Sequence, residues 1–274
     1  MSRLHSTRWL IVALALSFMA AGAFGQAQKQ EDYQPQVGQP GKDVVWVPTQ
    51  QDLVEKMLDM AKVTPKDYVI DLGSGDGRTV IAAAKRGAVA MGIEYNPDMV
   101  ELSIHNAAQA GVSDKTTFVN ADLFESDFSK ATVLTLFLLP DINIRLRPKI
   151  LDMPPGTRVV SNSFTMEDWE SDEKVTLESG CSTWCTAYLW IVPAKVGGKW
   201  KLPEGEITFE QQFQKITGTF VSGGKNSPVS GKLLGDQIHF TAGGAEYSGR
   251  VNGNSIAGSL KSGSKNAAWQ ATRQ

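Results

Sequence analysis

Val69-Ile-Asp-Leu-Gly-Ser-Gly-Asp-Gly-Arg78 is the stretch on which the reading of this chain turns. The apolar Tyr68-Val-Ile70 leads into it and Thr79 to Lys85 follows with one apolar face. The first reads as a short buried strand and the second as a helix. A glycine-rich turn between the two belongs at the carboxyl end of a parallel sheet, where doubly wound folds bind nucleotides. Glycine permits the tight turn and lets a ligand approach the backbone without a Cβ in the way.

Outward from this turn, helices and strands alternate. Leu53, Val54, Met57, Leu58 and Ala61 recur at helical spacing behind Thr49, which is placed to cap them, and Pro65 closes the element. Val89 to Ile93 reads as a second strand, and Asn96-Pro97 opens a helix that Gly111 ends. Phe118-Val119, Thr132 to Leu139, Thr157 to Ser161 and Thr186 to Val192 supply further strands. Such alternation predicts an α/β fold, a largely parallel sheet with helices on both faces, over residues 43–196.

After Pro193 the texture changes. Residues 197–274 hold 14 of the 26 glycines and no helical pattern. Ser230-Gly-Lys-Leu-Leu-Gly-Asp-Gln-Ile238 recurs as Ser248-Gly-Arg-Val-Asn-Gly-Asn-Ser-Ile256, and Thr217-Gly-Thr-Phe220 is a partial copy. Strand, tight Gly-Asp or Gly-Asn turn, strand is hairpin chemistry. The expectation is a small antiparallel β-meander domain, up to a half-barrel, serving packing rather than binding.

The chemistry rests on acids around the turn. Asp71 stands just before it, and Glu94 ends the next strand about 20 residues on, where a carboxylate accepts from ribose hydroxyls. Asn120-Ala-Asp122 follows the third strand. A dinucleotide site wants G-x-G-x-x-G facing a pyrophosphate. Here the third glycine, Gly77, comes one residue early, and Asp71 would repel that group. The same carboxylate suits the ammonium end of S-adenosylmethionine (SAM), and Asp122 is placed to accept from an adenine amino group.

These motifs resemble class I SAM-dependent methyltransferases. Asp71 to Arg78 with Ile81-Ala-Ala-Ala84 is most similar to the mitochondrial-type protein-lysine methyltransferases and their bacterial relatives. The likeness runs from Trp46-Val-Pro-Thr49 through Gly92 to Pro97 and Asn120 to Leu123, and on to Phe164 and Trp169. It implies a Rossmann-like class I methyltransferase sheet. Asp71, Gly73, Ser74, Gly75 and Gly77 would then line the methionine part of SAM. Glu94, with Tyr95 and Asn96, would take the ribose, and Asp122 and Leu123 the adenine. Val47 and Thr49, in the Val47-Pro48-Thr49 stretch, would lie over the cofactor.

The chain departs from the family pattern after the fourth strand, where it has Phe137-Leu-Leu-Pro-Asp141 in place of a Gly-Val-Pro segment. Asp141 and Asn143 lie where class I enzymes place substrate-facing groups. Asp141 is a candidate base and Asn143 a candidate hydrogen-bonding partner for an amine, against the plainer reading that Asp141 caps a helix. Two other classes compete with an active methyltransferase, namely an exported SAM-fold binding module without catalysis and a dinucleotide-dependent oxidoreductase.

Arg3, His5 and Arg8 precede an apolar run from Trp9 to Leu16, and Ala21-Gly22-Ala23 or Ala23-Phe24-Gly25 offers a cleavage site. This reads as a secretory signal over residues 1–25 and places the protein outside the cytoplasm, in a bacterial periplasm; an uncleaved anchor is the alternative. Residues 26–42, rich in Gln, Pro and Gly, read as a flexible lead-in, and after cleavage no membrane span is expected. The net charge of −2 gives no electrostatic reason to expect a nucleic-acid partner. The three histidines, His5, His105 and His239, are too scattered to suggest a metal. Cys181 and Cys185 would form a disulfide only if Ser182-Thr183-Trp184 turns, since in a strand they would sit roughly 13 Å apart.

Overall fold

The computed structural model describes residues 33–274. The expected signal, residues 1–25, and the start of the lead-in lie outside the described residues. Seven strands form one sheet: β1 Tyr68–Leu72, β2 Val89–Glu94, β3 Thr116–Asn120, β4 Val133–Leu136, β5 Arg158–Asn162, β6 Glu173–Thr176 and β7 Thr186–Ile191. Their order is β3-β2-β1-β4-β5-β7-β6. The first five run parallel, β7 lies antiparallel to β5, and β6 antiparallel to β7. β6 escaped the sequence reading because it is a mostly exposed edge of Glu, Lys, Val and Thr with no apolar alternation.

Alternation along each strand sends side chains to two cores. On one face Val69, Val133, Val160 and Leu189 meet Leu53, Val54 and Leu58 of α1 (Gln51–Met60) and Val80 and Ala83 of α2 (Arg78–Lys85). On the other, Ile70, Leu72, Leu134 and Leu136 meet Ile142, Leu146 and Ile150 of α4 (Pro140–Leu151). α3 (Pro97–Gln109) starts with Pro97 in its first turn, and the Asn96 side chain accepts from the Asp98 N–H at 2.9 Å. α1 starts differently from its prediction. Gln50 holds the cap position without a side-chain bond, because the Thr49 hydroxyl is turned inward to accept from Asn162 Nδ2 at 3.2 Å.

The C-terminal strands correct the meander. β8 Gly198–Leu202, β9 Gly205–Gln212, β10 Lys215–Ser222, β11 Lys225–Leu234, β12 Gln237–Ala242, β13 Ala245–Asn252, β14 Ser255–Ser262 and β15 Lys265–Arg273 pair in sequence, antiparallel, and then close into an eight-stranded barrel. The seam is short, with Thr272 opposite Lys201 and Arg273 opposite Trp200. Gly231 and Gly249, equivalent in the repeat, make the curvature possible. A Cβ at Gly231 would lie 2.1 Å from the His239 carbonyl oxygen, and one at Gly249 would lie 2.8 Å from that of Ala257. Trp200, Phe209, Phe220, Phe240, Tyr247 and Trp269 fill the interior.

The barrel is fastened to the sheet through the β9–β10 turn. Phe213, held at φ 53°, stacks on Trp169 with ring centroids 5.8 Å apart, and the Arg147 guanidinium lies 5.1 Å from the same ring. Gln214 Nε2 donates to the Glu170 carbonyl at 2.8 Å, and Lys215 pairs with the Glu170 carboxylate.

Candidate active site

β1 delivers its chain into the turn at the sheet's carboxyl edge. Gly73 N and Ser74 N both donate to the Ile93 carbonyl, at 2.9 and 3.1 Å, which ties the turn to the end of β2. Gly73 and Gly75 have φ of 77° and 53°, the left-handed region glycine reaches without strain. Gly77, at φ 80°, precedes α2, and a Cβ there would meet Ser103 and Phe118 at 2.9 Å. Gly77 therefore serves packing under the loop; it does not line the cavity above it.

That cavity, of about 230 Å³, is lined by Asp71, Gly73, Ser74, Gly75, Glu94, Tyr95, Asn96, Asp122 and Leu123, with Val47 and Thr49 from above. Asp71 is 6% exposed, and Thr135 Oγ1 donates to its Oδ1 at 2.6 Å. Burial pushes its carboxyl up to about 7, against the pull of the Thr135 hydrogen bond, and nearby Glu94 and Asp76 push the same way. The Glu94 carboxylate is held by two backbone donors, Gly75 N at 2.9 Å and Asn96 N at 3.0 Å, and each oxygen keeps acceptor capacity beyond these. Asp122 Oδ1 accepts from Phe124 N at 2.9 Å.

The segment before α1 forms a strap across this cavity. Gly38 N donates to the Trp46 carbonyl and Trp46 N to that of Gln39, at 2.8 and 2.9 Å. Part of the stretch expected as a loose lead-in is thus an ordered turn. The Trp46 ring sits on Gly75, where a Cβ would lie 2.6 Å from Nε1. Arg78 Nη1 donates to the Thr49 carbonyl at 2.8 Å, so α2 holds the strap's far end. Lys42 pairs with Asp122 and lies 4.9 Å from the centre of the Tyr95 ring. That hydrogen bond holds the Asp122 carboxyl below the ordinary range. Lys42, Trp46 and Arg78 were not among the expected site residues. Their contacts join positions about 30 to 80 residues apart, which no local pattern displays.

Asp141 and Asn143 are not brought to the cavity. Asp141 is exposed in the first turn of α4, one residue past Pro140, with Leu139 at the cap. Asn143, fully buried, donates from Nδ2 to the Thr165 carbonyl at 3.2 Å and so braces the loop after β5. The groups that do line the cavity beyond β4 are aromatic: Phe137 after β4, Phe164 after β5, and Trp184 before β7. Trp184 comes from a turn closed by the Cys181–Cys185 disulfide, whose Cα atoms are 5.7 Å apart because Ser182-Thr183-Trp184 folds back.

The profile of the ANTKMT methyltransferase domain matches residues 71–173. A protein-lysine N-methyltransferase of Saccharolobus islandicus is 41% identical over 152 residues, which is 54% of this chain and 94% of that protein. The ATP synthase lysine N-methyltransferase of mouse is 35% identical over 190 residues, 69% of this chain and 73% of that one. Among solved structures, an RNA methyltransferase from Salinibacter ruber in complex with S-adenosyl-L-homocysteine is 46% identical with a TM-score of 0.52, covering 55% of this chain and 96% of its own.

Proposed function

Because the chain belongs to the protein-lysine N-methyltransferase family of SAM-dependent enzymes, we propose that it methylates an amine nitrogen, with a lysine side chain of a protein as the acceptor. The observation that carries this reading is Asp71, a carboxylate buried at the cavity floor whose hydrogen bonds come from hydroxyls and which has no cationic partner among the described residues. Such a group suits a ligand that brings its own ammonium. Ser74 Oγ, buried in the same wall without a hydrogen-bond partner, fits a polar ligand as well. Asp71 and the turn glycines would hold the methionine end of SAM, Glu94 the ribose, and Asp122 the adenine beside Lys42. When bound, SAM supplies a methyl group activated by its sulfonium.

The protein's own part is chiefly positioning. Trp46 and the strap cover the cofactor half and exclude water. The aromatic half beyond β4 carries no carboxylate, imidazole or lysine from Phe137, Leu138, Leu139, Ile142, Phe164 or Trp184. The amine therefore sheds its proton to solvent before its lone pair attacks, and Asp141 plays no part as a base.

RNA is the competing acceptor, raised by the likeness to the Salinibacter protein. The net charge of −2 favours protein, since binding to phosphate backbones rests on basic residues. A module without catalysis is the weaker alternative, because Asp71, Glu94 and Asp122 all line one cavity. The basic and apolar N-terminal sequence and the Cys181–Cys185 disulfide support export to an oxidising compartment. Among the described residues no helix is long and apolar enough to cross a membrane. Incubation of the purified protein with methyl-labelled SAM and, separately, envelope proteins, RNA and small amines tests the acceptor. Label on protein lysine is the expected result; label on RNA alone would reverse the reading.

A further inference from the structure

The aromatic half of the cavity is built with more constraint than packing asks. Phe137, Phe164 and Trp184 arrive from three separate segments and touch one another, with ring centroids 6.0, 6.3 and 5.2 Å apart. Trp184 remains 48% exposed and sits at φ 58°, a conformation unfavourable for a bulky residue. Three restraints hold it there: the Cys181–Cys185 bond, the Gln50 side chain, which donates to Ser182 Oγ at 2.8 Å, and Asp52, which packs against Gly180. A half-exposed tryptophan kept in a strained turn points to a task at the surface it presents.

The placement names that task. The loops after β1, β2 and β3 carry the acids of the cofactor half, while these rings stand at the same edge of the sheet on β4, β5 and β7. We propose that Phe137, Phe164 and Trp184 form the acceptor subsite, an aromatic surface against which the nitrogen gaining the methyl group is held, and that Trp184 decides which acceptors fit. The inference rests on the reading of the protein as an amine methyltransferase. The nitrogen lone pair forms the new N–C bond as the C–S bond breaks, so positive charge leaves sulfur and appears on nitrogen. Aromatic faces attract that cation as it develops and offer a neutral oxygen or carbon acceptor nothing comparable. Trp184 is thus a specificity-determining residue supplied by the disulfide turn.

The test uses the full protein saturated with S-adenosylhomocysteine and two probes of the same shape, choline and its uncharged isostere 3,3-dimethylbutan-1-ol, titrated calorimetrically. Wild type is expected to bind choline about tenfold more tightly than the isostere. Trp184→Ala should lose that preference and Trp184→Phe should keep most of it, while both variants bind S-adenosylhomocysteine within about twofold of wild type. Equal binding of the two probes by wild type, or an intact preference in Trp184→Ala, would overturn the subsite and leave the methyltransferase reading standing. Failure of wild type to bind S-adenosylhomocysteine would overturn the methyltransferase reading, and the subsite with it. The wild-type comparison decides the role of charge even if a variant folds poorly.

Discussion

Replacing Asp71 by Asn should make the cofactor-free protein more stable and the cofactor site worse. Burial lifts this carboxyl from 3.8 to about 7. Each unit of pKa is worth about 1.4 kcal/mol, so keeping Asp71 charged at pH 8 costs the fold on the order of 4 kcal/mol. Because the folded value is raised, the neutral form is the one the fold favours. Its stabilising contribution is complete below pH 3.8, declines as pH rises, and is gone once pH passes about 7. Asn is neutral throughout and its side-chain oxygen still accepts from Thr135. In urea titrations, Asp71→Asn should match wild type near pH 4 and exceed it by a few kcal/mol at pH 8.

Cofactor affinity should move the opposite way. The ammonium of SAM needs the carboxylate, so wild-type binding releases a proton below pH 7 and weakens about tenfold from pH 8 to pH 6. Asp71→Asn should bind tenfold or more weakly at pH 8, as expected for loss of a charge-assisted hydrogen bond, and lose the pH dependence. Calorimetry across that range, in buffers of different ionisation enthalpy, reads both effects. Parallel pH profiles of wild type and variant, in stability and in affinity, would refute the assignment of Asp71 to the cofactor's ammonium.

Three further results are expected. Glu94→Ala should weaken SAM binding at least about tenfold, through lost ribose acceptance and through release of Gly75 N and Asn96 N; unchanged affinity would move the ribose elsewhere. Asp141→Ala should leave turnover within about twofold of wild type, because this carboxylate stands outside the cavity; a loss of a hundredfold would restore it as a base. Phe213→Ala should cost about 2 kcal/mol of stability, given partial burial and the stack on Trp169. The loss should appear in the unfolding of sheet and barrel together, and a loss confined to the barrel signal would show that the turn does not join them.

Legibility followed the range of the interactions. β1, β4 and the turn at Gly73 to Gly77 announce themselves because a buried strand is a continuous apolar run and a tight turn needs glycine, both within a dozen residues. Asp71 and Glu94 were readable since each ends a strand pointing at the same edge. β6 has no apolar face to signal it. The barrel's hairpins were visible in the repeat, but its closure depends on residues 200–201 meeting 272–273, a pairing across the whole segment. The glycines at equal offsets in the repeat did carry a trace of it, since a strand bends most easily where no Cβ meets its neighbour. Trp184 read only as part of a turn between two cysteines, and its place beside Phe137 and Phe164 comes from strand order. Asp141 shows the converse, for a residue following the right strand went to solvent when the chain entered α4 at Pro140.

The seam between β8 and β15 also orders events in time. During synthesis the last strand of the parallel sheet, β7, has emerged by Ile191 and that sheet can begin to pack. The barrel must wait for β15, and until then β8 and β14 are bare edges able to recruit the wrong strand. Phe213 leaves the ribosome early in this interval and can dock beside Trp169 at once. The enzyme-like half would then serve as an anchorage for its unfinished neighbour, holding one end of the open sheet while the closing strand is still being made.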